Sequence, residues 1–244
     1  MRLDKLLANM GVGSRKEVKK LLKSKKVTLN NKVIKDGSIK VNPDEDSVRV
    51  EDEPIIYQEF IYLMLHKPPG VVSATADVKD KTVIDLLSEQ DKHFQPFPVG
   101  RLDKDTEGLL LITNDGDLAH QLISPNKNVS KIYRAKVKGE LPQDVVQQFT
   151  AGIILDDGYQ TKPANLKILA ATEEPGFSEV EIEITEGKFH QIKRMFEAVN
   201  CKVIYLKRYR MGELSLDSQL PLGAYRPLTE EEMAYCFSLK NKEF

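Results

Sequence analysis

The stretch GRLDKDTEGLLLITNDGDLAHQL, residues 100–122, carries the clearest structural signal in this sequence. A polar segment (100–107) stands directly before the apolar run 109–112, and the turn residues Asn-Asp-Gly (114–116) follow it. A short apolar run bounded by turn residues is typical of a buried strand, and the apolar spacing in 118–123 predicts a helix. Catalytic groups often lie on loops that a rigid strand holds in place, so the acidic residues of segment 100–107 are candidates for chemistry.

The spacing within this loop allows more than one interpretation. Asp103 follows Arg101 by two residues. A carboxylate next to an arginine can serve as a nucleophile or as a base, and it can equally form a structural ion pair. The alternating acidic residues 103–107 also look like the opening of a calcium-binding EF-hand loop. That interpretation fails because the twelfth position is Asn114 instead of glutamate, and 109–112 is apolar where oxygen ligands are required. Spacing alone favours the structural ion pair over a catalytic role.

The N-terminal residues predict a small domain. Apolar residues recur with helical spacing in 3–10, and Ser14 and Glu17 form a capping box at the start of a second helix. A hairpin that turns at 30–31 and a strand at 48–50 complete the domain. We therefore expect about fifty residues of α/β structure.

A linker is expected after this domain, since residues 51–54 are acidic and include a proline. We predict a small α/β domain over 1–52, a linker over 53–59 and a larger domain over 60–244. Strands and helices of the larger domain follow no strict βαβ order. The predicted fold class is therefore α+β, with a mixed, largely antiparallel β-sheet and flanking helices.

Composition excludes several classes of protein. Hydrophobic residues make up 41% of the 244 residues and charged residues 30%, which is typical of a globular chain. No apolar run approaches the roughly 20 residues of a membrane helix, and no secretory signal is visible, so we expect a cytoplasmic protein away from membranes. Two cysteines cannot form a disulfide framework, and the four histidines lack metal-ligand spacing. We expect no metal, and nothing in the sequence suggests an obligate partner subunit, so a monomer is expected.

The charge is unevenly distributed. Residues 1–40 hold twelve lysines and arginines against three acidic residues, a formal charge of +9, while the rest of the chain carries −10. A basic segment on an acidic body indicates a partner with phosphates, although lysines are also common on any exposed helix. The candidate RNA-binding residues lie on the outward face of the second helix: Arg15, Lys16, Lys19, Lys20 and Lys23.

Four motifs in the same order resemble those of one enzyme family. Segment 100–122 is similar to the signature GRLD-x-x-[TS]-x-GLLLLTNDG of the RsuA-type pseudouridine synthases, with isoleucine for leucine at Ile112. Further family motifs resemble KPPGV (67–71), KIY (131–133) and EGKFHQIKRM (186–195). Residues 2–22, RLDKLLANMGVGSRKEVKKLL, resemble the RNA-binding domain named after ribosomal protein S-four.

The resemblance implies a reaction and a site. The enzymes of this family break the N-glycosidic bond of a uridine in RNA, turn the base and rejoin it through carbon, and they need no cofactor. Asp103 matches the catalytic carboxylate, which acts as a nucleophile or as a base on the ribose; the sequence leaves both routes open. The target base must leave its stack to be reached.

Four more residues gain a role from the resemblance. Tyr133 matches a tyrosine that stacks on the target base, and Lys193 a cation paired with the catalytic carboxylate. Arg101 is placed to bind phosphate or the flipped nucleotide, and Leu206 matches an apolar position of the pocket. From pattern alone, Tyr133 and Leu206 are ordinary core residues, and Lys193 is a lysine whose stem lies along the core.

The expected partner is ribosomal RNA or an assembling ribosomal subunit. The first residues and the ending without a long basic tail resemble the branch that acts on small-subunit rRNA more than the branch that acts on large-subunit rRNA. A non-catalytic RNA-binding assembly factor remains an alternative, because fold alone does not determine function. A hydrolase using Asp103 and Asp105 is a third, which no metal-binding cluster in the sequence supports.

Overall fold

The computed structural model of the protein describes residues 1–171 and 174–240. They form two compact units, one of Met1–Ile61 with Ser88–Pro96 and one of Tyr62–Leu87 with Phe97–Phe244. The predicted α+β class and the largely antiparallel sheet are confirmed. In this part of the chain no helix is long and apolar enough to cross a membrane.

The first unit packs two helices and a small sheet around leucines. Its elements are α1 (Leu3–Asn9), α2 (Arg15–Lys23), β1 (Val27–Leu29), β2 (Lys32–Val33), β3 (Val48–Val50), β4 (Glu53–Ile55) and α3 (Glu89–Lys92). The sheet has the order β2-β1-β3-β4 and is antiparallel. Leu3, Leu6 and Leu7 are buried, as their spacing predicts. The predicted capping box of Ser14 and Glu17 begins α2.

Two segments of this unit were assigned elsewhere from the sequence. Residues 53–55, expected in the linker, form β4, in which Glu53 pairs with Val50 and Pro54 with Arg49. Residues 88–96, expected in the larger domain, belong to the first unit, where the His93 Nε2 atom lies 2.7 Å from the Ala8 carbonyl oxygen. Neither segment has the apolar periodicity that would have assigned it to this core.

The second unit is built on a nine-stranded sheet in the described residues. Its strands are β5 (Tyr62–Lys67), β6 (Phe97–Pro98), β7 (Glu107–Thr113), β8 (Lys131–Lys138), β9 (Asn165–Ala171), β10 (Phe177–Ile184), β11 (Lys202–Met211), β12 (Leu214–Ser215) and β13 (Tyr225–Pro227). The helices are α4 (Gly116–Ile123), α5 (Val145–Ala151), α6 (Gln191–Ala198) and α7 (Glu230–Lys240), with short 3-10 helices at Ile84–Leu86 and Pro125–Lys127. The sheet order is β13-β5-β7-β11-β8-β10-β9, with β6 on β7 and β12 on β11.

Strand β7 lies in the middle of this unit. Leu109 and Leu111 pack in a core cluster with residues of α4, while Leu110 and Ile112 are also fully or nearly fully buried. Because both faces of β7 are covered, its sequence is a continuous apolar run without alternation. The predicted buried strand and the helix after it are confirmed.

Among the described strand pairs of this sheet, β7 and β11 are parallel and the others are antiparallel. Lys207 pairs with Glu107 and Arg208 with Gly108, so β11 lies against the very start of β7. Gly108 has φ +114°, and a Cβ atom there would lie 2.0 Å from the Arg208 carbonyl oxygen. Only glycine permits this approach, which brings the acidic loop before β7 next to the residues that β11 and β8 present.

Candidate active site

A cleft in the second unit brings the predicted site residues together. Its lining comes from the loop before β7, from β8, β11 and the end of β10, and from the start of α6. The lining residues are Arg101, Leu102, Asp103, Thr106, Tyr133, Ile184, Gly187, Lys188, His190, Gln191, Ile192, Lys193 and Leu206. All five residues that the sequence analysis selected for the catalytic domain therefore line one cleft. Those selected on α2 are exposed, on the first unit.

Asp103 faces two basic side chains. Its Oδ2 atom lies 3.1 Å from Lys193 Nζ, and its Oδ1 atom lies 3.7 Å from His190 Nε2. The Asp103 side chain keeps 27% of its surface exposed, so a substrate can reach it. The carboxylate is thus accessible, and its ion pair is with Lys193, the pairing that the family resemblance implies.

Lys193 holds two carboxylates at once. Its Nζ atom donates a hydrogen bond to Asp105 Oδ1 at 2.6 Å besides its contact with Asp103. Burial lowers the Lys193 pKa, but the hydrogen bonds and charges of Asp105 and Asp103 outweigh burial and raise it. Lys193 therefore stays protonated at neutral pH and pairs as a cation with both carboxylates.

Replacing Lys193 with methionine is expected to lower kcat/KM by about 100-fold, the usual loss when a preorganised charge leaves an active site. The stem of the side chain is retained, so the packing of α6 should survive. Lys193→Arg is the matched control, because it keeps the charge; its activity should stay within about tenfold of wild type. Tritium release from uridine-labelled RNA measures both variants. A methionine variant within about threefold of wild type would show that the cation does not matter.

Lys67 binds the backbone of the loop before β7. This lysine is fully buried, and its Nζ atom donates to the carbonyl oxygens of Thr106 at 2.8 Å and Asp103 at 3.1 Å. It also reaches the carbonyl oxygens of Pro68 at 3.0 Å and Lys104 at 3.4 Å. Burial lowers the Lys67 pKa to about 8, although nearby carboxylates oppose this change. Three of these four contacts hold the main chain of the loop from Asp103 to Thr106.

Lys67 should give the protein a pH-dependent stability that Lys67→Met lacks. The folded pKa of about 8 lies below the unfolded 10.5, so unfolding takes up a proton between these pH values. The unfolding free energy of wild type relative to the variant should be flat below pH 8. It should then rise, by as much as about 3 kcal/mol, towards pH 10.5. Urea unfolding of both proteins from pH 7 to pH 10 measures this difference, and a flat difference would contradict it.

Tyr133 and Leu206 form the sheet side of the cleft. Tyr133 is only 8% exposed, and its ring lies 6.0 Å from the guanidinium of Arg208, its partner in the β8–β11 pairing. Arg208 donates from Nε to the Leu109 carbonyl oxygen at 2.9 Å and from Nη1 to the Tyr133 hydroxyl at 3.5 Å. A buried arginine anchored on β7 therefore sets the position of the Tyr133 ring.

The loop before α6 is braced by a buried carboxylate. Glu186 is 5% exposed and accepts hydrogen bonds from the Gln191 amide at 2.8 Å, the Tyr159 hydroxyl at 2.7 Å and the Lys162 backbone at 2.9 Å. Gln191 Oε1 in turn accepts from the Lys188 backbone at 2.8 Å. These bonds close the loop into one shape and leave its 188–190 segment at the rim of the cleft.

Sequence reasoning missed three contributors to this site. Lys67 stood in the KPPGV motif, but no periodicity shows that a lysine is buried under a loop 36 residues further along the chain. His190 stood in the EGKFHQIKRM motif, and its approach to Asp103 depends on a left-handed backbone at φ 48°. Arg208 is one of four basic residues in β11, and only the sheet register shows that it pairs with Tyr133.

Known proteins were compared with the chain. The profile of the family described as RNA pseudouridylate synthase matches residues 61–198, and that of the S4 domain matches residues 1–47. An RNA pseudouridine synthase of Bacillus subtilis, YtzG, is 51% identical and covers 96% of this chain and 97% of its own. The ribosomal small subunit pseudouridine synthase A of Yersinia pestis is 41% identical, with 96% and 97% covered.

Two further matches are informative. The ribosomal large subunit pseudouridine synthase B of Bacillus subtilis is 39% identical, with 95% of this chain and 93% of the relative covered. A crystal structure described as pseudouridylate synthase superposes with a TM-score of 0.67 at 33% identity, covering 97% of this chain and 99% of the other. The family profile spans more than half of the chain, and the relatives align over nearly all of it. The chain therefore belongs to the RNA pseudouridine synthases and carries an S4 domain at its N-terminus.

Proposed function

We propose that this protein converts one uridine of small-subunit ribosomal RNA to pseudouridine, with Asp103 as the catalytic carboxylate. The observation that carries the proposal is the cleft in which Asp103 is accessible, paired with Lys193 and lined on its sheet side by Tyr133. Attack on the nucleotide and proton abstraction from the ribose both use a carboxylate oxygen, and the ion pair with Lys193 holds the Asp103 carboxylate in the cleft.

The other lining residues suit an extruded nucleotide. Tyr133 offers a ring for the target base, Leu206 an apolar wall, and the exposed Arg101 a charge for phosphate. We propose these three as substrate-binding residues. All of them come from one chain, so a monomer is sufficient for the site, and we propose that a monomer acts on rRNA in the cytoplasm.

The choice of small-subunit RNA rests on the relatives. Two relatives at similar identity act on different subunits by name: 41% for the small-subunit enzyme of Yersinia pestis and 39% for the large-subunit enzyme of Bacillus subtilis. The small-subunit enzymes of Vibrio cholerae, at 42%, and Escherichia coli, at 37%, lie on either side of these values. Large-subunit RNA is therefore the second candidate, and experiment must decide between them.

Mapping the product identifies the target directly. Purified protein is incubated with unmodified small- and large-subunit rRNA transcripts and with partly assembled subunits, beside reactions without enzyme. Carbodiimide labelling followed by primer extension then reveals each pseudouridine as a stop. We expect one new stop in small-subunit RNA. A stop only in large-subunit RNA would overturn the target, and tight binding without any stop would favour an assembly factor.

The S4 domain should contribute phosphate contacts of its own. Arg15, Lys16, Lys19, Lys20 and Lys23 are all exposed along α2, and we propose that they bind the RNA backbone. Replacing Lys19, Lys20 and Lys23 with alanine should weaken RNA binding and reduce the slope of log K against log salt by about 2 to 3. Filter binding between 50 and 200 mM salt, roughly the range over which such contacts respond, measures the slope. The triple arginine variant keeps the charge and serves as the control; an unchanged slope in the alanine variant would exclude these contacts.

A further inference from the structure

Phe189 presents an aromatic ring to solvent at the rim of the cleft. Its exposed fraction is 72%, compared with 44% for Tyr205 and 42% for Phe237. One face of the ring is covered by His190, since the two rings are nearly parallel, at 19°, with centroids 3.8 Å apart. The opposite face has no such partner among the ring contacts of the described residues, and exposing it to water has a free-energy cost that a bound ligand would remove.

This ring pair is continuous with the catalytic cleft. His190 lines the cleft, and its Nε2 atom lies 3.7 Å from Asp103 Oδ1. Phe189 therefore stacks on His190, the residue that faces the catalytic carboxylate. The Glu186–Gln191 hydrogen bonds brace the loop on both sides of the pair, which keeps the Phe189 ring from folding back into the core.

The chemistry of the surroundings selects the ligand. Lys188 directly precedes the pair in sequence and lies with its Nζ atom 4.6 Å from the centre of the Tyr159 ring, whereas the charge of Arg194 is balanced by Asp156 and Asp157. Flat rings among cations are the usual surface for an unpaired base of RNA, because every base has a π-face and a nearby phosphate. An apolar protein partner would not be favoured by this charge.

We infer that Phe189 is a stacking surface for the RNA base that neighbours the target uridine. The inference rests on the proposed function, since a neighbour exists only where a uridine enters the cleft. Extruding the uridine removes the stacking partner of the adjacent base, and this loss opposes binding. The Phe189 ring, held beside His190, replaces that partner and stabilises the RNA with its target extruded.

Three substitutions at Phe189 separate stacking from simple apolar contact. Phe189→Tyr keeps the ring, Phe189→Leu keeps apolar volume without a flat face, and Phe189→Ala removes both. The probe is small- or large-subunit rRNA transcript carrying tritium at uridine carbon 5, which is released when the base is rejoined through that carbon. Ile154→Ala is the matched control, because Ile154 is also an exposed apolar residue of this unit, at 66%, outside the cleft.

The alanine and leucine variants should both lose kcat/KM by at least about fivefold and by as much as about 100-fold, as expected for one base–aromatic stack. The tyrosine and Ile154 variants should remain within about twofold of wild type. The salt slope of RNA binding should not change, because no charge is removed. A leucine variant as active as wild type, or an alanine variant within twofold, would overturn the stacking role. Wild-type protein that releases tritium from neither rRNA, as transcript or in partly assembled subunits, would overturn the proposed function itself, and this inference with it.

Discussion

The Asp103→Asn variant is expected to form pseudouridine at a rate lower than wild type by a factor on the order of 10⁴ or more, as for other enzymes that lose a central reactive group. Asparagine fills the same space, but it carries no charge and neither attacks carbon nor accepts a proton. Lys193 retains its hydrogen bond to Asp105 in this variant, so the positions of α6 and the loop should be preserved. The loss should appear in the rate constant of the chemical step, measured as tritium release under single-turnover conditions.

Asp105→Asn provides the matched control for this experiment. It makes the same chemical change two residues away, on a side chain that is 73% exposed and also contacts Lys193. We expect its activity to remain within about tenfold of wild type, since Asp103 keeps its ion pair. Both variants should bind RNA and melt like wild type. Equal losses in the two would mean that the carboxylates act as a pair, and the assignment of the catalytic role to Asp103 alone would be wrong.

Much of the fold followed from local patterns. The buried strand β7 and the capping box of α2 were both predicted because each depends on neighbours in sequence. Helix α6 likewise carries Ile192, Met195 and Phe196 at helical spacing, and all three are buried. In these segments local propensity and tertiary packing agree.

The elements that were missed lack such patterns. Strand β9 has exposed residues at both Ile168 and Leu169, and the apolar face of α5 amounts to Val145 and Phe149. Both elements form because they pack against neighbours that are distant in sequence, a contribution that no short window contains.

The residues that line the site were selected from the sequence, but the residues that hold them in position were not. Asp103, Tyr133 and Lys193 were selected through the family motifs, and their roles remain predictions until variants are measured. Lys67 holds the backbone of the Asp103 loop, and Arg208 contacts the Tyr133 hydroxyl. Both contacts depend on how the strands are aligned in the sheet. Only three-dimensional structure relates these residues to the reaction, because each is separated from its partner by tens of residues.

Gly108→Ala should destabilise the protein by about 3 to 5 kcal/mol, in the range of the most damaging single substitutions. Two effects combine. Gly108 has a φ of +114°, a conformation that residues with a side chain rarely adopt, and a Cβ atom would lie 2.0 Å from the Arg208 carbonyl oxygen and 2.7 Å from its nitrogen. These are backbone atoms of a central strand, so they cannot rotate away as a side chain would, and the β7–β11 pairing must separate.

Gly116→Ala is the matched control, because it makes the same chemical change where the backbone is not crowded. Gly116 begins α4 with ordinary backbone geometry, and a Cβ there would meet nothing within 4 Å. Alanine favours helix, so Gly116→Ala should change the unfolding free energy by no more than about 1 kcal/mol, in the stabilising direction. Urea unfolding measures both variants. If Gly108→Ala remained as stable as Gly116→Ala, the close parallel pairing of β7 and β11 could not be what positions the Asp103 loop, and activity would then survive the substitution as well.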